Sequence, residues 1–150
     1  MESKYNIGVA AGEADIEAIA RFQVAMALES EGTKLCPATV RRGVETGITE
    51  GHAIYIVARN AEGAAIGSLM LTTEWSDWHC CQYYWIQSVY VRPEERRHGA
   101  FRAMFAYARE AARRAGAAAL RLYVDHNNSR AMAVYRALGM HESHYRMYEL

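Results

Sequence analysis

The sequence predicts an α/β fold with a mixed, mostly antiparallel central sheet and helices on both faces. Apolar residues recur at helical spacing in four segments and at strand spacing in six, in the order β-α-α-β-β-β-α-β-α-β. Only turn-forming residues separate the apolar runs 52–59 and 64–73, which indicates an antiparallel hairpin. The strand, helix and strand within 83–124 predict a parallel pair, because a crossover helix is what joins parallel strands.

The first half of the chain is predicted to contain one strand, two helices and the hairpin. Residues 5–10 form a short apolar strand, and apolar positions at helical spacing then indicate a helix over 15–30. A proline at the start of 37–42 suits the first position of a second, short helix. We expect that helix to end near Gly43 or Gly47.

The second half continues with a polar loop, a third antiparallel strand, a helix closed by Gly116, a strand, another helix and a final strand. Their expected bounds are, in that order, 74–79, 83–91, 101–115, 118–124, 128–138 and 141–150.

Size and composition restrict the class of protein. The 150 residues fit a single domain spanning 1–150, and the 17 basic and 17 acidic residues cancel, which argues against nucleic acid or membrane as a partner. Without an apolar run of about 20 residues or a signal-peptide core, we expect a cytoplasmic protein. Cys36, Cys80 and Cys81 lack metal-site spacing, which predicts reduced thiols and no metal.

The segment 88–102 joins an apolar strand to a helix through a basic turn, with Gly99 where the helix begins. A helix start has unpaired N–H groups and a partial positive charge, so a phosphate can bind there. The side chains that would add positive charge are Arg96, Arg97, His98 and Arg102. On spacing alone, an ordinary turn with a solvated basic rim fits equally well.

This turn resembles the cofactor signature of the GCN5-related N-acetyltransferases: a strand ending V-x-V-x-P, then Gln or Arg, two residues, Gly, one residue, and Gly or Ala. The matching residues are Val89, Val91, Pro93, Arg96 and Gly99, with Phe101 at the position of the last small residue. A second signature of that family is matched by Asn128, Ala131, Tyr135 and Gly139, with Met140 in place of Phe. The resemblance covers nearly all of the chain and implies an acyl-CoA N-acyltransferase-like fold.

By this resemblance, acetyl-CoA is the cosubstrate and lies where the strand of the first signature splays from the strand after the helix. The main chain of Val89 and Val91 would pair with its pantetheine arm, and the N–H groups of 97–102 would hold its pyrophosphate. Asn128 would bind the amide region, although Asn is also a favoured helix N-cap. The expected cofactor-binding residues are Val89, Tyr90, Val91, Arg96, Arg97, His98, Gly99, Ala100, Phe101, Arg102, Asn128 and Ala131.

Tyr135 corresponds, by the same resemblance, to the residue that protonates the departing CoA thiolate. A phenol with a pKa near 10 can protonate a thiolate whose conjugate acid is near 8.5 at a cost of about 2 kcal/mol. Spacing alone favours a core tyrosine beside Ala131, Val134 and Leu138.

The general base is not evident from the sequence. Strict strand alternation places Trp85 and Gln87 on the face that Val89 and Val91 share, and neither side chain titrates usefully. The candidate bases are therefore Glu74, Asp77 and His79 in the preceding loop, or a water molecule held by Gln87 and the main chain.

The resemblance implies an acetyl-CoA-dependent N-acetyltransferase whose acceptor, a primary amine of a small molecule or peptide, attacks directly. Acids beside tryptophans suit a cationic amine, and the expected acceptor contacts are Glu29, Trp75 and Gln87. The alternative is a catalytically idle acyl-CoA-binding sensor or regulatory module, because no carboxylate occupies position 85 or 87. We also expect a homodimer, since 141–150 leaves room for only one final strand and an exposed sheet edge invites pairing.

Overall fold

The molecule is built on a five-stranded sheet with strand order β1-β2-β3-β4-β5, and the computed structural model describes residues 3–150. Four strands pair antiparallel in succession: β1 (Asn6–Val9), β2 (Ile54–Arg59), β3 (Ala65–Ser76) and β4 (Cys81–Val91). The short β5 (Leu120–Arg121) pairs parallel with β4. The helices are α1 (Gly12–Glu31), α2 (Pro37–Thr49), α3 (Ala100–Arg114) and α4 (Ser129–Ala137), and a 3₁₀ turn (Pro93–Glu95) precedes α3. The predicted mixed, mostly antiparallel sheet is confirmed.

Helices cover both faces of the sheet, as side-chain alternation along its strands allows. Ile56 on β2 packs in the core that contains Met104 of α3. Its neighbours Tyr55 and Val57 pack on the other face with Ile19 of α1. We call these the α3 face and the α1 face. None of the helices within residues 3–150 is both long and apolar enough to cross a membrane.

The second helix continues past both glycines at which we expected it to end. α2 runs to Thr49, and Val44, between the two glycines, is buried. Gly47 faces the sheet closely, since a Cβ there would lie 3.7 Å from the Cβ of Ala53. Packing against the sheet therefore outweighs the weak helix propensity of glycine.

The predicted loop over 74–79 is also wrong in its first part. Glu74 and Trp75 belong to β3 and pair with Tyr83 and Gln82 of β4. The β3–β4 hairpin is therefore longer than predicted, and the connecting turn is confined to 77–80. Pairing across the hairpin fixes the side-chain direction of Glu74, which a loop would have left open.

A β-bulge in β4 overturns the predicted facing of its side chains. Ser68 pairs with Tyr90 but Met70 pairs with Gln87, so β4 has one extra residue, and Ser88 adopts a positive φ of 52°. Gln87 consequently lies on the α1 face with Met70, while Val89 packs into the core of the α3 face. The expectation that Trp85 and Gln87 share a face with Val89 and Val91 is wrong.

The end of the chain forms less sheet than predicted. Of the strand expected over 118–124, only Leu120 and Arg121 have register partners in β4. Ala118 and Ala119 each add one main-chain hydrogen bond to β4, and no pairing is seen after Arg121 among residues 3–150. No strand forms over 141–150, whose residues are all exposed. A strand requires a hydrogen-bonded neighbour, and these residues have none within 3–150.

Gly67 on β3 provides a direct test of the packing beside the bulge. A Cβ at Gly67 would lie 2.7 Å from the carbonyl oxygen of Tyr90 and 3.2 Å from Val91 Cγ2. We expect Gly67→Ala to lower the free energy of unfolding by about 1–3 kcal/mol in urea denaturation, because backbone must move. Gly43→Ala is the matched control: that glycine is helical with nothing within 4 Å, so the same change should stabilise by up to about 1 kcal/mol. Equal effects at the two sites would contradict the close approach at Gly67.

Candidate active site

The sheet opens between β4 and β5. Tyr84 pairs with Leu120 and Trp85 with Arg121, whereas β4 continues to Val91 with no β5 partner in the described part of the chain. The bulge in β4 lies just beyond the last of these pairs, and a bulge bends the strand that carries it. The opening is therefore a consequence of the β4 backbone.

The main chain at the end of β4 faces this opening. The N–H of Arg92 donates to the carbonyl oxygen of Ile66 on β3 at 2.8 Å. Because main-chain groups of successive strand residues point to alternate edges, those of Val91 point away from β3. Nε of Arg96 donates to the Val91 carbonyl oxygen from that side at 2.9 Å. The Val91 N–H is thus presented to the opening, where an extended ligand could pair with it.

The turn that follows has the backbone of an anion site. Arg97 and Gly99 have positive φ angles of 64° and 89°, and α3 begins at Ala100 without a side-chain cap. A backbone that alternates between negative and positive φ brings successive N–H groups into one concave surface. The start of α3 adds its partial positive charge. A Cβ at Gly99 would meet nothing within 4 Å, so the space before the turn is open. These features fit a diphosphate group.

Arg96 ties this turn to the end of α1. Its guanidinium donates to both carboxylate oxygens of Glu29, at 2.5 and 2.8 Å, and lies 5.6 Å from the ring centre of Tyr90. The hydrogen bond from Arg96 lowers the pKa of Glu29 despite partial burial, so the pair stays charged at neutral pH. A cleft of about 310 Å³ lies between α1 and the end of β4, lined by Met26, Glu29, Ser30, Val89, Tyr90, Val91 and Arg96. The structure therefore brings Glu29 to the turn 96–99, which we call the cofactor turn after the cofactor contact predicted for it.

Phe101, the residue that departs from the family signature, packs between α3 and α4. Its ring centre lies 6.1 Å from that of Phe105 and 6.0 Å from that of Tyr135, and it contributes to the core of the α3 face. The large side chain is thereby accommodated by the core.

Tyr135 on α4 is half-buried beside Phe101, and burial raises the pKa of its phenol. The hydroxyl therefore keeps its proton at neutral pH. Asn128 caps the same helix, with its side-chain oxygen accepting from the N–H of Ala131 at 3.1 Å. This confirms the N-cap interpretation of Asn128, and its cofactor contact remains a prediction.

Polar and aromatic side chains line the α1 face beside the opening. The carboxylate of Glu74 accepts from Nε1 of Trp85 at 2.9 Å, and its Oε1 lies 3.7 Å from a guanidinium nitrogen of Arg121. Arg121 in turn stacks over Tyr83, 3.6 Å from the ring centre. These four residues form a charge-balanced, aromatic surface at the mouth of the opening.

Gln87 is the next polar residue along that face. Its Nε2 donates to Oγ1 of Thr72 at 2.7 Å, and the hydroxyl of Tyr123 donates to its Oε1 at 3.4 Å. We call the set Thr72, Glu74, Tyr83, Trp85, Gln87, Arg121 and Tyr123 the acceptor face. Gln87 is thus held from both sides, from β3 and from the chain after β5.

Four of the residues predicted for the acceptor site or as the base lie outside the acceptor face: Glu29, Trp75, Asp77 and His79. Glu29 pairs with Arg96, and His79 lies in the turn 77–80, with its ring edge-on to Tyr83 at 6.0 Å between ring centres. Trp75 follows Glu74 in β3 and therefore points to the opposite face of the sheet. Asp77 lies exposed in the turn beyond the end of β3. No three His, Cys, Asp or Glu side chains in residues 3–150 lie close enough together to hold a metal ion.

Arg121 and Tyr123 were missed by sequence reasoning. They stand two residues apart, as side chains on one face of an extended segment do. That spacing was visible, but the β4–β5 register that sets Arg121 opposite Trp85 was not.

Comparison with known proteins identifies the family. A model described as the acetyltransferase (GNAT) family matches residues 26–140. The chain belongs to the GNAT acetyltransferase family. It is 35% identical to a solved structure described as a possible acetyltransferase from Clostridium difficile 630, with 96% of each chain covered and a TM-score of 0.86.

Two other solved structures share the GNAT fold at lower identity. A transcriptional regulator from Bacillus halodurans C-125 is 21% identical, with 97% of this chain and 99% of that chain covered and a TM-score of 0.83. A predicted acetyltransferase from Clostridium acetobutylicum, solved with acetyl-CoA, is 14% identical, with 97% of this chain and 96% of that chain covered and a TM-score of 0.76. A comparison with curated proteins gives no match. GNAT proteins carry out acetyl-CoA-dependent acetyl transfer, and family membership assigns that general activity to this chain.

Proposed function

We propose that this GNAT protein transfers an acetyl group from acetyl-CoA to the primary amine of a small molecule or peptide, by direct attack of the amine. The observation that carries the proposal is the opening between β4 and β5, which has an anion-binding turn beyond one end and a polar, aromatic acceptor face beside it. A donor bound along β4 would present its reactive end to that face.

The chain's own groups would bind the cofactor. Acetyl-CoA supplies an acetyl group activated as a thioester. The N–H groups of 97–102 would hold its diphosphate, with the exposed side chains of Arg97, His98 and Arg102 adding positive charge. The main chain of Val89 and Val91 would pair with the pantetheine amides, as an added strand pairs with a sheet edge.

Tyr135 would act as the general acid. Because burial raises the pKa of its phenol, the proton is present at neutral pH when the thiolate departs. Transfer of this proton to the CoA thiolate is uphill, because the phenol has the higher pKa. A step that costs a few kcal/mol is compatible with catalysis.

Glu74 is a stronger candidate than Asp77 for proton removal from the amine. A primary amine has a pKa near 10.4 and must lose a proton before it can attack. Glu74 shares the acceptor face with Gln87, whereas Asp77 lies beyond the strand end. We propose that Glu74 takes up this proton, directly or through a water molecule held by Gln87.

The carboxylate of Glu74 can be tested separately from its hydrogen bond. Glu74→Gln keeps an oxygen that can accept from Trp85 Nε1 but removes the base, so we expect kcat/KM to fall about 10²-fold. Asp77→Asn is the matched control and should change kcat/KM by less than about twofold. For both variants, kcat/KM for the amine is measured by thiol release at a saturating concentration of acetyl-CoA. Equal losses of kcat/KM in the two variants would contradict the role of Glu74.

The proposed function itself is tested by a thiol-release screen. Acetyl-CoA is incubated with the protein and with polyamines, aminoglycosides, amino acids or peptides with free N-termini. We expect amine-dependent release of CoA with at least one of these classes. Saturable acetyl-CoA binding without turnover on any amine would instead support the idle sensor.

A further inference from the structure

Arg121 of β5 is a partly buried arginine on the acceptor face, and its guanidinium donates no hydrogen bond to any group within residues 3–150. Its side chain is 31% exposed, and its guanidinium carbon lies 3.6 Å from the ring centre of Tyr83. Oε1 of Glu74 is 3.7 Å from one guanidinium nitrogen, which is too far for a hydrogen bond. A guanidinium stacked on a ring keeps its N–H groups in its own plane, where a carboxylate can accept from two of them.

Two other arginines of similar exposure do have carboxylate partners. Arg41 is 30% exposed and donates to Glu45 at 3.0 Å. Arg59 is 32% exposed and donates to Asp15 at 2.6 Å. A guanidinium that has lost part of its water without gaining an acceptor costs free energy. The carboxylate of a bound ligand would supply the acceptor that Arg121 lacks.

The position and the charge of Arg121 indicate what kind of ligand would fit. Arg121 pairs with Trp85 where the opening between β4 and β5 closes, whereas Gln87 lies two residues further along β4, next to the bulge. Glu74 and Arg121 are the ionised side chains of the acceptor face, one of each sign. A ligand that carries both an ammonium group and a carboxylate matches both charges. A plain amine or a polyamine would leave Arg121 unpaired.

We propose that the acceptor is a free α-amino acid, whose carboxylate is bound by Arg121 and whose amine faces Glu74. The assignment of this acceptor class rests on the proposed function. In an α-amino acid one carbon atom joins the two groups, which suits two side chains of opposite charge only 3.7 Å apart. Arg121 thereby determines specificity, since it binds a part of the acceptor that does not react.

The transfer leaves the α-carboxylate unchanged. Glu74 takes one proton from the ammonium group and passes it to water, which leaves a free amine. The amine nitrogen forms a bond to the thioester carbonyl carbon, the carbon–sulfur bond breaks, and its electron pair goes to sulfur. Tyr135 protonates the sulfur, and water returns the second proton of the nitrogen to Tyr135. The product is an N-acetyl amino acid.

Amino acids and their α-amides provide the first test. The amide keeps the amine and the side chain but replaces the carboxylate with a neutral group, as a peptide bond does. Thiol release gives kcat/KM for each of the common amino acids and for its amide. For the best amino acid we expect a value about 100-fold above that of its amide, because a charged hydrogen-bond pair is lost. An equal or higher value for the amide would overturn the proposal and leave acetyl transfer to amines intact.

Variants of Arg121 assign this preference to the guanidinium. Arg121→Gln should lower kcat/KM for the amino acid about 100-fold and that for the amide by less than about twofold. Arg121→Lys keeps the charge without the planar fork and should restore part of the preference. The control is Arg109→Gln, an exposed arginine of α3 on the other face of the sheet, which should change neither value. Equal losses for amino acid and amide in Arg121→Gln would indicate a structural role and overturn the proposal.

Binding is measured separately from turnover, through the indole N–H of Trp85. This group donates to Glu74 beside Arg121, and Trp85→Phe identifies its NMR signal among those of the three tryptophans. With CoA present, amino acids should shift this signal saturably in the wild type but not in Arg121→Gln. A saturable shift without acetylation of any amine would contradict the proposed function and still support the amino-acid site. The absence of a shift with every amino acid would overturn the site, whichever amines are acetylated.

Discussion

Tyr135→Phe is expected to lower kcat for thiol release by about 10²-fold or more, while the acetyl-CoA dissociation constant changes by less than about twofold. The substitution removes only the hydroxyl and leaves the ring against Phe101. Loss of a general acid affects the transition state far more than the bound ground state, so the effect should be confined to kcat. Thiol-release assays at saturating substrate give kcat, and isothermal titration calorimetry gives the acetyl-CoA dissociation constant.

The control for this substitution is Tyr107→Phe. Tyr107 is a solvent-exposed tyrosine on α3, and its hydroxyl has no role in the proposed mechanism. We expect its kcat to stay within about twofold of the wild-type value. If Tyr135→Phe also retained the wild-type kcat, Tyr135 would not be the acid.

The pH profile gives an independent readout of the same residue. Burial raises the pKa of Tyr135, so the protonated, donating form persists beyond the range in which an exposed tyrosine titrates. The wild-type rate should fall as the pH rises through that raised pKa, which lies above about 10. The Tyr135→Phe variant should lack this alkaline loss.

The ends of α3 and α4 could be predicted from the sequence, because they depend on residues that are close together along the chain. Gly99 precedes α3 with a positive φ, and Gly116 follows it with another, because both positions need a backbone that other residues resist. The N-cap of α4 was likewise readable from Asn128. These features require no knowledge of which strand lies beside which.

Features that depend on strand pairing were not predictable in the same way. The bulge at Ser88 reverses the expected facing of Gln87 relative to Val89, and no local signal distinguishes that serine from an ordinary strand residue. Glu74 looked like a loop residue because the length of the β3–β4 hairpin is set by pairing. Most of the acceptor face is therefore a product of register, whereas the cofactor turn is a product of local sequence.

Asp15→Ala is expected to reduce the free energy of unfolding by about 3 kcal/mol or more. The Asp15 side chain is buried, and one of its carboxylate oxygens accepts from the N–H of Ala11 at 2.8 Å and from Arg59 at 2.6 Å. Alanine would leave that N–H at the start of α1 and the partly buried guanidinium without their acceptor. Urea denaturation at neutral pH measures the loss.

Glu45→Ala is the matched control, because Glu45 pairs with Arg41 at a more exposed site. Arg41 keeps its bonds to Glu13 and Glu17, so we expect a loss below about 1 kcal/mol. Equal losses at Asp15 and Glu45 would show that burial adds nothing to the Asp15 pair.

Acid should reveal the same contribution of Asp15. Burial acts to raise its pKa, but the hydrogen bonds from Arg59 and Ala11 outweigh burial and hold the pKa below its ordinary value. A pKa lowered by folding stabilises the native state fully above about pH 4, and this contribution is lost as the pH falls through the folded-state pKa. The difference between wild type and Asp15→Ala should therefore shrink in acid. Because Asp15 fixes the start of α1 while Glu29 joins its other end to the cofactor turn, Asp15→Ala should also weaken acetyl-CoA binding.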